Sequence, residues 1–223
     1  MQIVSINTGK ILDKEWRNGS QSAIHKTSVG DASVVINEQG ISIDEQADLK
    51  NHGGVDKAVL ILPSSAYQRF DVAHPYGFLG ENITLDGADE SQICLGDRLQ
   101  IGTLLLEVSQ PRSPCWKLDQ HVGEIAGLEK GVFLNRYSDS GHVGFYCRVI
   151  AVGRAQKGQE VIWLTRDMAD KTWGHISIKE LFLAKLNAHG TNDSKAKTIL
   201  QEAIKHPALS KAWKIECQKL VDA

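Results

Sequence analysis

Val143-Gly144-Phe145-Tyr146-Cys147-Arg148-Val149 is the clearest two-residue alternation in the chain. Val143, Phe145, Cys147 and Val149 fall on one face, and Gly144, Tyr146 and Arg148 on the other. That is the pattern of a strand with one face on a core. Working outward, Leu104, Leu106 and Val108 alternate with Thr103, Glu107 and Ser109, with Leu105 interrupting the polar face. Ala58 to Leu62 is a continuous apolar run ended by Pro63, as expected of a strand buried on both faces. Ile3 to Ile6 and Val161 to Leu164 are shorter strand candidates, and another follows Gly80. Gly30, Gly40, Gly87, Gly96, Gly102, Gly141, Gly153 and Gly158 punctuate these runs. Many short strands with glycine turns point to a mainly β fold, a barrel or sandwich rather than a parallel α/β sheet. Tyr67 to Val72 and Val122 to Leu128 read as short helices crossing it.

The pattern changes after Arg166. Ser177 and Glu180 form a capping box, followed by Ile178, Leu181, Phe182 and Leu186 at helical spacing. A second helix starts near Asn192 or Asp193 and carries Ile199, Leu200, Ala203 and Ile204 on one face; Pro207 ends it. A third starts near Ser210 with Trp213, Cys217, Leu220 and Val221 in register. The expected organisation is therefore a β domain over residues 1–165 and a small three-helix domain over residues 166–223. The helices are too few to be very stable alone, so they should dock on the β domain, with Trp163, Trp173 and Trp213 as the apolar contact.

The 223 residues carry 25 Lys+Arg against 27 Asp+Glu, a formal charge of −2. No bulk positive field gathers nucleic acid, so stable nucleic-acid binding is not expected. Any bound anion must be held by a local cluster of donors. Hydrophobic residues at 42% argue against disorder. No apolar run approaches the roughly 20 residues that span a bilayer, and the N-terminus does not read as a signal peptide. Cys94, Cys115, Cys147 and Cys217 form no C-x-x-C pair, so a reducing cytoplasmic setting with free thiols is expected. The eight histidines show no H-x-x-x-H spacing, which argues against a zinc hydrolase.

Three segments carry the chemistry. Ser109-Gln110-Pro111-Arg112-Ser113-Pro114-Cys115-Trp116-Lys117-Leu118 has two prolines that stiffen a loop presenting one thiol. Arg112 and Lys117 flank that thiol and favour the thiolate, the nucleophilic and metal-binding form. A buried structural cysteine is the plain alternative. Asn51-His52-Gly53-Gly54-Val55-Asp56-Lys57-Ala58 places two glycine amides and Lys57 before a buried strand, where they could hold an anion. Taken alone, these residues read better as a simple glycine turn with a surface lysine. Gly80-Glu81-Asn82 leads into a strand and offers polar groups to a cleft.

In this order and spacing, the segments resemble the MOSC domain family. The matching residues are His52-Gly53-Gly54 with Asp56-Lys57-Ala58, Gly80-Glu81-Asn82, Gly96-Asp97, Ser109-Gln110-Pro111-Arg112 with Pro114-Cys115, and the Gly144 to Val149 strand with Gly153. Asp44, Glu45, Gln46 and Asp48 are similar to the acidic lead-in before the family's histidine. The three C-terminal helices resemble those of the bacterial YiiM-like subgroup. The resemblance implies a closed β-barrel of pyruvate-kinase-barrel type that binds molybdenum cofactor (molybdopterin), with Cys115 as both catalytic residue and molybdenum ligand. Lys26, His52, Gly53, Gly54, Lys57, Asn82, Gln110 and Arg112 are then the remaining cofactor-binding positions, and the loop from Asn135 to Gly144, with Arg136 and His142, rims the substrate opening.

The implied activity is reduction of N-hydroxylated compounds, hydroxylaminopurines included, and hence detoxification of base analogues. The partners would be a small-molecule N-hydroxylated substrate and a separate electron-donor reductase, since no G-x-G-x-x-G and no iron–sulfur cysteine cluster is present. No membrane partner is expected, and the oligomeric state, a homodimer included, is open. Two other readings use the same residues: a persulfide-carrying sulfur transferase acting through Cys115, and a non-catalytic molybdopterin-binding protein.

Overall fold

A computed structural model describes residues 1–16, 19–48, 53–164, 175–189 and 193–223. The main sheet has eight strands: β1 (Gln2–Gly9), β4 (Lys26–Ser28), β7 (Val59–Pro63), β8 (Ile83–Asp86), β9 (Arg98–Ile101), β10 (Leu104–Pro111), β11 (Phe145–Ala151) and β13 (Ile162–Leu164). Their order is β13-β9-β10-β11-β7-β8-β1-β4, and only the β7–β8 pair among these is parallel. β5 (Val34–Asn37), β6 (Gly40–Ile41) and β12 (Gly153–Ala155) form a three-stranded sheet, while β2 (Leu12–Asp13) and β3 (Gln21–Ser22) form a hairpin.

The expected closed barrel is not what forms. The sheet is open and mixed, with β13 and β4 as its unpaired ends. Its ends approach: Ile3 N donates to Gln159 O, Val161 N to Met1 O, and Gln2 meets Glu160 in an isolated bridge. The ladder goes no further. β12, which follows β11, lies outside the main sheet and pairs with β5 in the small one. Helices also take a larger share than a mainly β reading allows. Among the described residues there are six α-helices: α1 (Ser65–Arg69), α2 (Trp116–Ala126), α3 (Val132–Asp139), α4 (Ile178–Ala188), α5 (Ser194–Lys205) and α6 (Lys211–Asp222). The fold class is accordingly mixed α and β.

The alternations do mark strands. β7 is buried at every position, and Val59, Ile61, Phe145, Cys147, Leu104, Leu106 and Val108 sit in one apolar core. The C-terminal caps form as read. Ser177 Oγ accepts from Glu180 N, Asp193 Oδ1 from Lys195 N and Ala196 N, and Ser210 Oγ from Trp213 N. Leu181, Phe182, Leu200, Trp213 and Cys217 share a second core with Leu62, Phe78, Leu118, Phe133 and Tyr137. The terminal helices are thus packed into the same apolar mass as α2 and α3. Trp213 contributes to that core, whereas Trp173 lies outside the described residues. Gly96 has φ +81°, and a Cβ there would lie 2.7 Å from His206 Cε1, so the turn before β9 admits the α5–α6 connection only because it lacks a side chain. Among the described residues no helix is long and apolar enough to cross a membrane.

Candidate functional site

β10 ends at Pro111, and the chain runs through Pro114 into α2, which begins at Trp116. Cys115 is the N-cap, extended at φ −125° and ψ 167°, and its carbonyl accepts from Leu118 N at 3.0 Å. The two prolines cannot donate and disfavour helix before them, so the helix starts at this cysteine. The sulfur therefore stands at the positive end of an 11-residue helix, half-buried.

Two hollows meet at Cys115. The inner one encloses about 720 Å³, part of it open to solvent, and is lined by Lys26, Asp44, Asn82, Arg112 and Cys115 among others. The outer one, about 1020 Å³ on the same measure, is lined by Gln110, Cys115, Trp116 and by Ala212, Trp213 and Glu216 of α6. Asp48, Lys57, Ser113, Cys115, Lys117 and Tyr146 line both. Both are of a size that accepts a cofactor or small substrate.

Arg112 is the strongest charge feature. Its side chain is buried, and its guanidinium makes one long hydrogen bond to the described residues, Nη1 to Tyr137 Oη at 3.5 Å. Burial works against its charge, but Tyr137, Tyr146, Cys115 and Glu81 outweigh it and move the pKa up. Gly80 sits beside this guanidinium at φ +88°, where a Cβ would be strained and would press on Ile24 Cγ1 at 3.0 Å, with Arg112 Nη2 at an ordinary 3.5 Å. Lys26 is buried and closed onto Asp44, with Nζ 2.6 Å from Oδ2. Burial pulls its pKa down, opposed by Asp44. Asp44 also accepts from Gly9 N at 2.7 Å and Asn82 Nδ2 at 2.8 Å. Lys57 is pulled down by partial burial, with Glu216 and Asp48 opposing.

The expected site residues divide accordingly. Lys26, Lys57, Asn82, Arg112 and Cys115 come together on the inner hollow, and Gln110 borders the outer one. His52 lies outside the described residues. Gly53 and Gly54 do not line either hollow; Gly54, at φ +94° with open space where a Cβ would go, caps the short 3-10 turn Val55–Lys57 and so aims Lys57. Asn82 is committed to the fold, since its Oδ1 accepts from Leu60 N and its Nδ2 donates to Asp44. Glu81 is fully buried beneath the site, holding Tyr67, Gly77 N and Thr84 on Oε1; burial pushes its pKa up.

The stretch from Asn135 to Gly144 does not form the expected rim. Its first half, to Asp139, is the end of α3, Arg136 pairs with Asp71, and His142 is buried between Glu90, at 2.9 Å, and Lys179 of α4, at 3.0 Å. Sequence reading missed Tyr146 and the α6 residues. Tyr146 was visible as a polar-face position of the β11 alternation, opposite Gln110 in the ladder; Ala212 and Glu216 carried no signal, because only the docking of α6 brings them to the hollow.

That docking is specific. Ser210 N donates to Ser109 O, Lys211 N to Asp56 Oδ2, and Arg148 Nη2 to Ala208 O at 2.7 Å while pairing with Asp56 at 2.8 Å.

The MOSC domain model matches residues 48–162. A Bacillus subtilis protein, YflK, is 32% identical over 99% of this chain and 94% of its own length. The Escherichia coli protein YiiM is 37% identical over 68% of this chain and 66% of its own. A protein called a reductase in Gibberella moniliformis is 26% identical, and the match spans only 32% of its length. Among solved structures, YiiM from Geobacillus stearothermophilus superposes with a TM-score of 0.74 at 31% identity, covering 99% of this chain and 98% of that one.

Proposed function

Since the chain belongs to the MOSC domain family, we propose that its paired hollows bind molybdenum cofactor and that the protein reduces N-hydroxylated compounds, hydroxylaminopurines among them. The observation that carries this reading is the position of Cys115, on the wall common to a cationic inner hollow and an outer hollow large enough for a substrate. The residues fit the group. A thiol is a soft donor suited to such a metal. A buried guanidinium with one long internal hydrogen bond is a vacant fork for an anion or a pterin edge. Gln110 Oε1 is buried beside the site and has no partner among the described residues.

In this reading Cys115 Sγ is the protein's metal ligand, and Arg112 and Lys57 hold the anionic part of the cofactor. Lys26, already neutralised by Asp44, fixes the inner wall rather than supplying a free charge. When bound, the cofactor supplies the two-electron redox couple. The balance is R–NH–OH + 2 electrons + 2 protons → R–NH2 + H2O, with the electrons delivered by a separate reductase. The relatives named YiiM and the relative called a reductase support the assignment of class.

The test is turnover of an N-hydroxylated amidine with a reduced viologen as electron source. Amine formation by the wild type, and its loss in Arg112→Met protein that keeps its melting temperature, is the expected result. Equal turnover in the two proteins, or none in molybdenum-loaded wild type, contradicts the assignment.

A further inference from the structure

Helix α6 brings a second set of side chains to Cys115. Ala212 and Glu216 are four residues apart, hence one above the other on a single helix face, and both line the outer hollow that Cys115 also lines. The helix start is pinned to Ser109 O, on the strand that leads to Cys115, and to Asp56 of the 3-10 turn, so this face is a fixed wall. Ala212 is exposed and small. Glu216 is held from behind by Lys185, whose Nζ contacts Oε2 and lies 4.3 Å from the Trp213 ring centroid. That contact leaves Oε1 as the oxygen able to accept from a ligand.

We propose that α6 is the substrate-facing wall of the outer hollow, with Ala212 limiting substrate width and Glu216 accepting a hydrogen bond from a substrate N–H. The inference rests on the cofactor reading and deepens it. It selects planar amidines and amino-heterocycles bearing N–OH, which retain N–H donors, over N-oxides, which carry none. A site that hydrogen-bonds a substrate N–H penalises the analogue lacking it, because its acceptor is then left without a partner. Glu216 is half exposed, with 52% of its side chain accessible, so water softens that penalty.

The probes are 2-aminopyridine, a planar cyclic amidine, and 2-methylpyridine, which has the same shape without N–H donors. Both are titrated into the full chain at alkaline pH, where both are neutral, while tryptophan fluorescence is read; Trp116 and Trp213 line the hollow. The expected result is saturable binding of 2-aminopyridine, about tenfold tighter than 2-methylpyridine. Glu216→Ala should erase the difference, Glu216→Gln should keep part of it, and Ala212→Phe should abolish binding of both. Both positions are exposed, and each variant is checked for an unchanged melting temperature. Equal binding of the two probes by wild type, no saturable binding in the millimolar range, or variants that bind like wild type overturns the proposal. Molybdenum content is measured on the same samples. Protein that holds molybdenum but shows no amine preference refutes the wall alone, whereas protein that shows the preference but holds no molybdenum when made in cells competent for cofactor synthesis supports the wall and refutes only the cofactor reading.

Discussion

Replacing Asp44 by Asn removes one charge from a pair whose side chains are only 8% and 4% accessible. Asp44 is bound by Lys26 at 2.5 and 2.6 Å, by Gly9 N and by Asn82 Nδ2. The variant keeps the shape and leaves Lys26 as a buried cation with its counter-charge gone. Breaking a buried pair from one side costs about 3–5 kcal/mol, most of it the desolvation of the remaining ion. The cost should appear as a lower urea midpoint with an unchanged slope. It also has a pH signature. Lys26 already titrates below its ordinary value of 10.5 because it is buried, and losing Asp44 lowers it further. A lysine depressed in the folded state destabilises the fold while charged, so the deficit should shrink as pH rises from neutral through the depressed value toward 10.5. Inorganic phosphate should stabilise the variant more than wild type, because Lys26 borders the inner hollow. A variant with the wild-type urea midpoint at pH 7, or a deficit that does not change up to pH 10, would show that Lys26 does not depend on Asp44.

Other consequences are simpler. His121 is buried and held to a pKa of about 4 by burial, with His25 and Lys14 adding to the shift. A histidine lowered from 6.5 contributes stability that is present above 6.5 and lost between 6.5 and 4, about 3 kcal/mol in all. His121→Phe should therefore lose less stability than wild type between pH 7 and 4.5 in urea titrations, and parallel losses would refute the assignment. Gly96→Ala should destabilise by about 1–3 kcal/mol through its positive φ and the His206 contact. It should also raise proteolysis in the C-terminal helices, and an unchanged melting curve would count against that docking. Burial raises the thiol pKa of Cys217 to about 11 and pushes that of Cys147 up as well. Iodoacetamide at pH 8 should therefore label Cys115 and Cys94 in folded protein and reach Cys147 and Cys217 only after denaturation; mass spectrometry of the peptides decides.

The strand alternations, the capping residues and the proline-braced thiol were all legible because each is a local property of the chain. Val59 to Leu62, Leu104 to Val108 and Phe145 to Val149 became strands where the pattern placed them. Ser177, Asp193 and Ser210 became the caps. Closure of the sheet was not legible, because it depends on how far Gln159 to Val161 pair with Met1 to Ile3, and no local pattern in either segment sets that long-range pairing. α3 was missed because its Gly131 start, in the left-handed region, lacks a side-chain cap. The grouping of Arg112, Lys57 and Cys115 followed from a resemblance in spacing, whereas the commitment of Asn82 to Asp44 and Leu60 follows only from packing. The burial of His142 under Lys179 likewise depends on where α4 docks, which its local sequence does not encode.

Molybdenum content of protein made in cells competent for cofactor synthesis tests the central claim most directly, with Cys115→Ser compared against wild type and a Cys94→Ser control. About one molybdenum per chain in wild type and control, with most of it lost from a normally folded Cys115→Ser protein, is the predicted result. Equal metal in all three, or none in any, contradicts the assignment of Cys115 as the ligand.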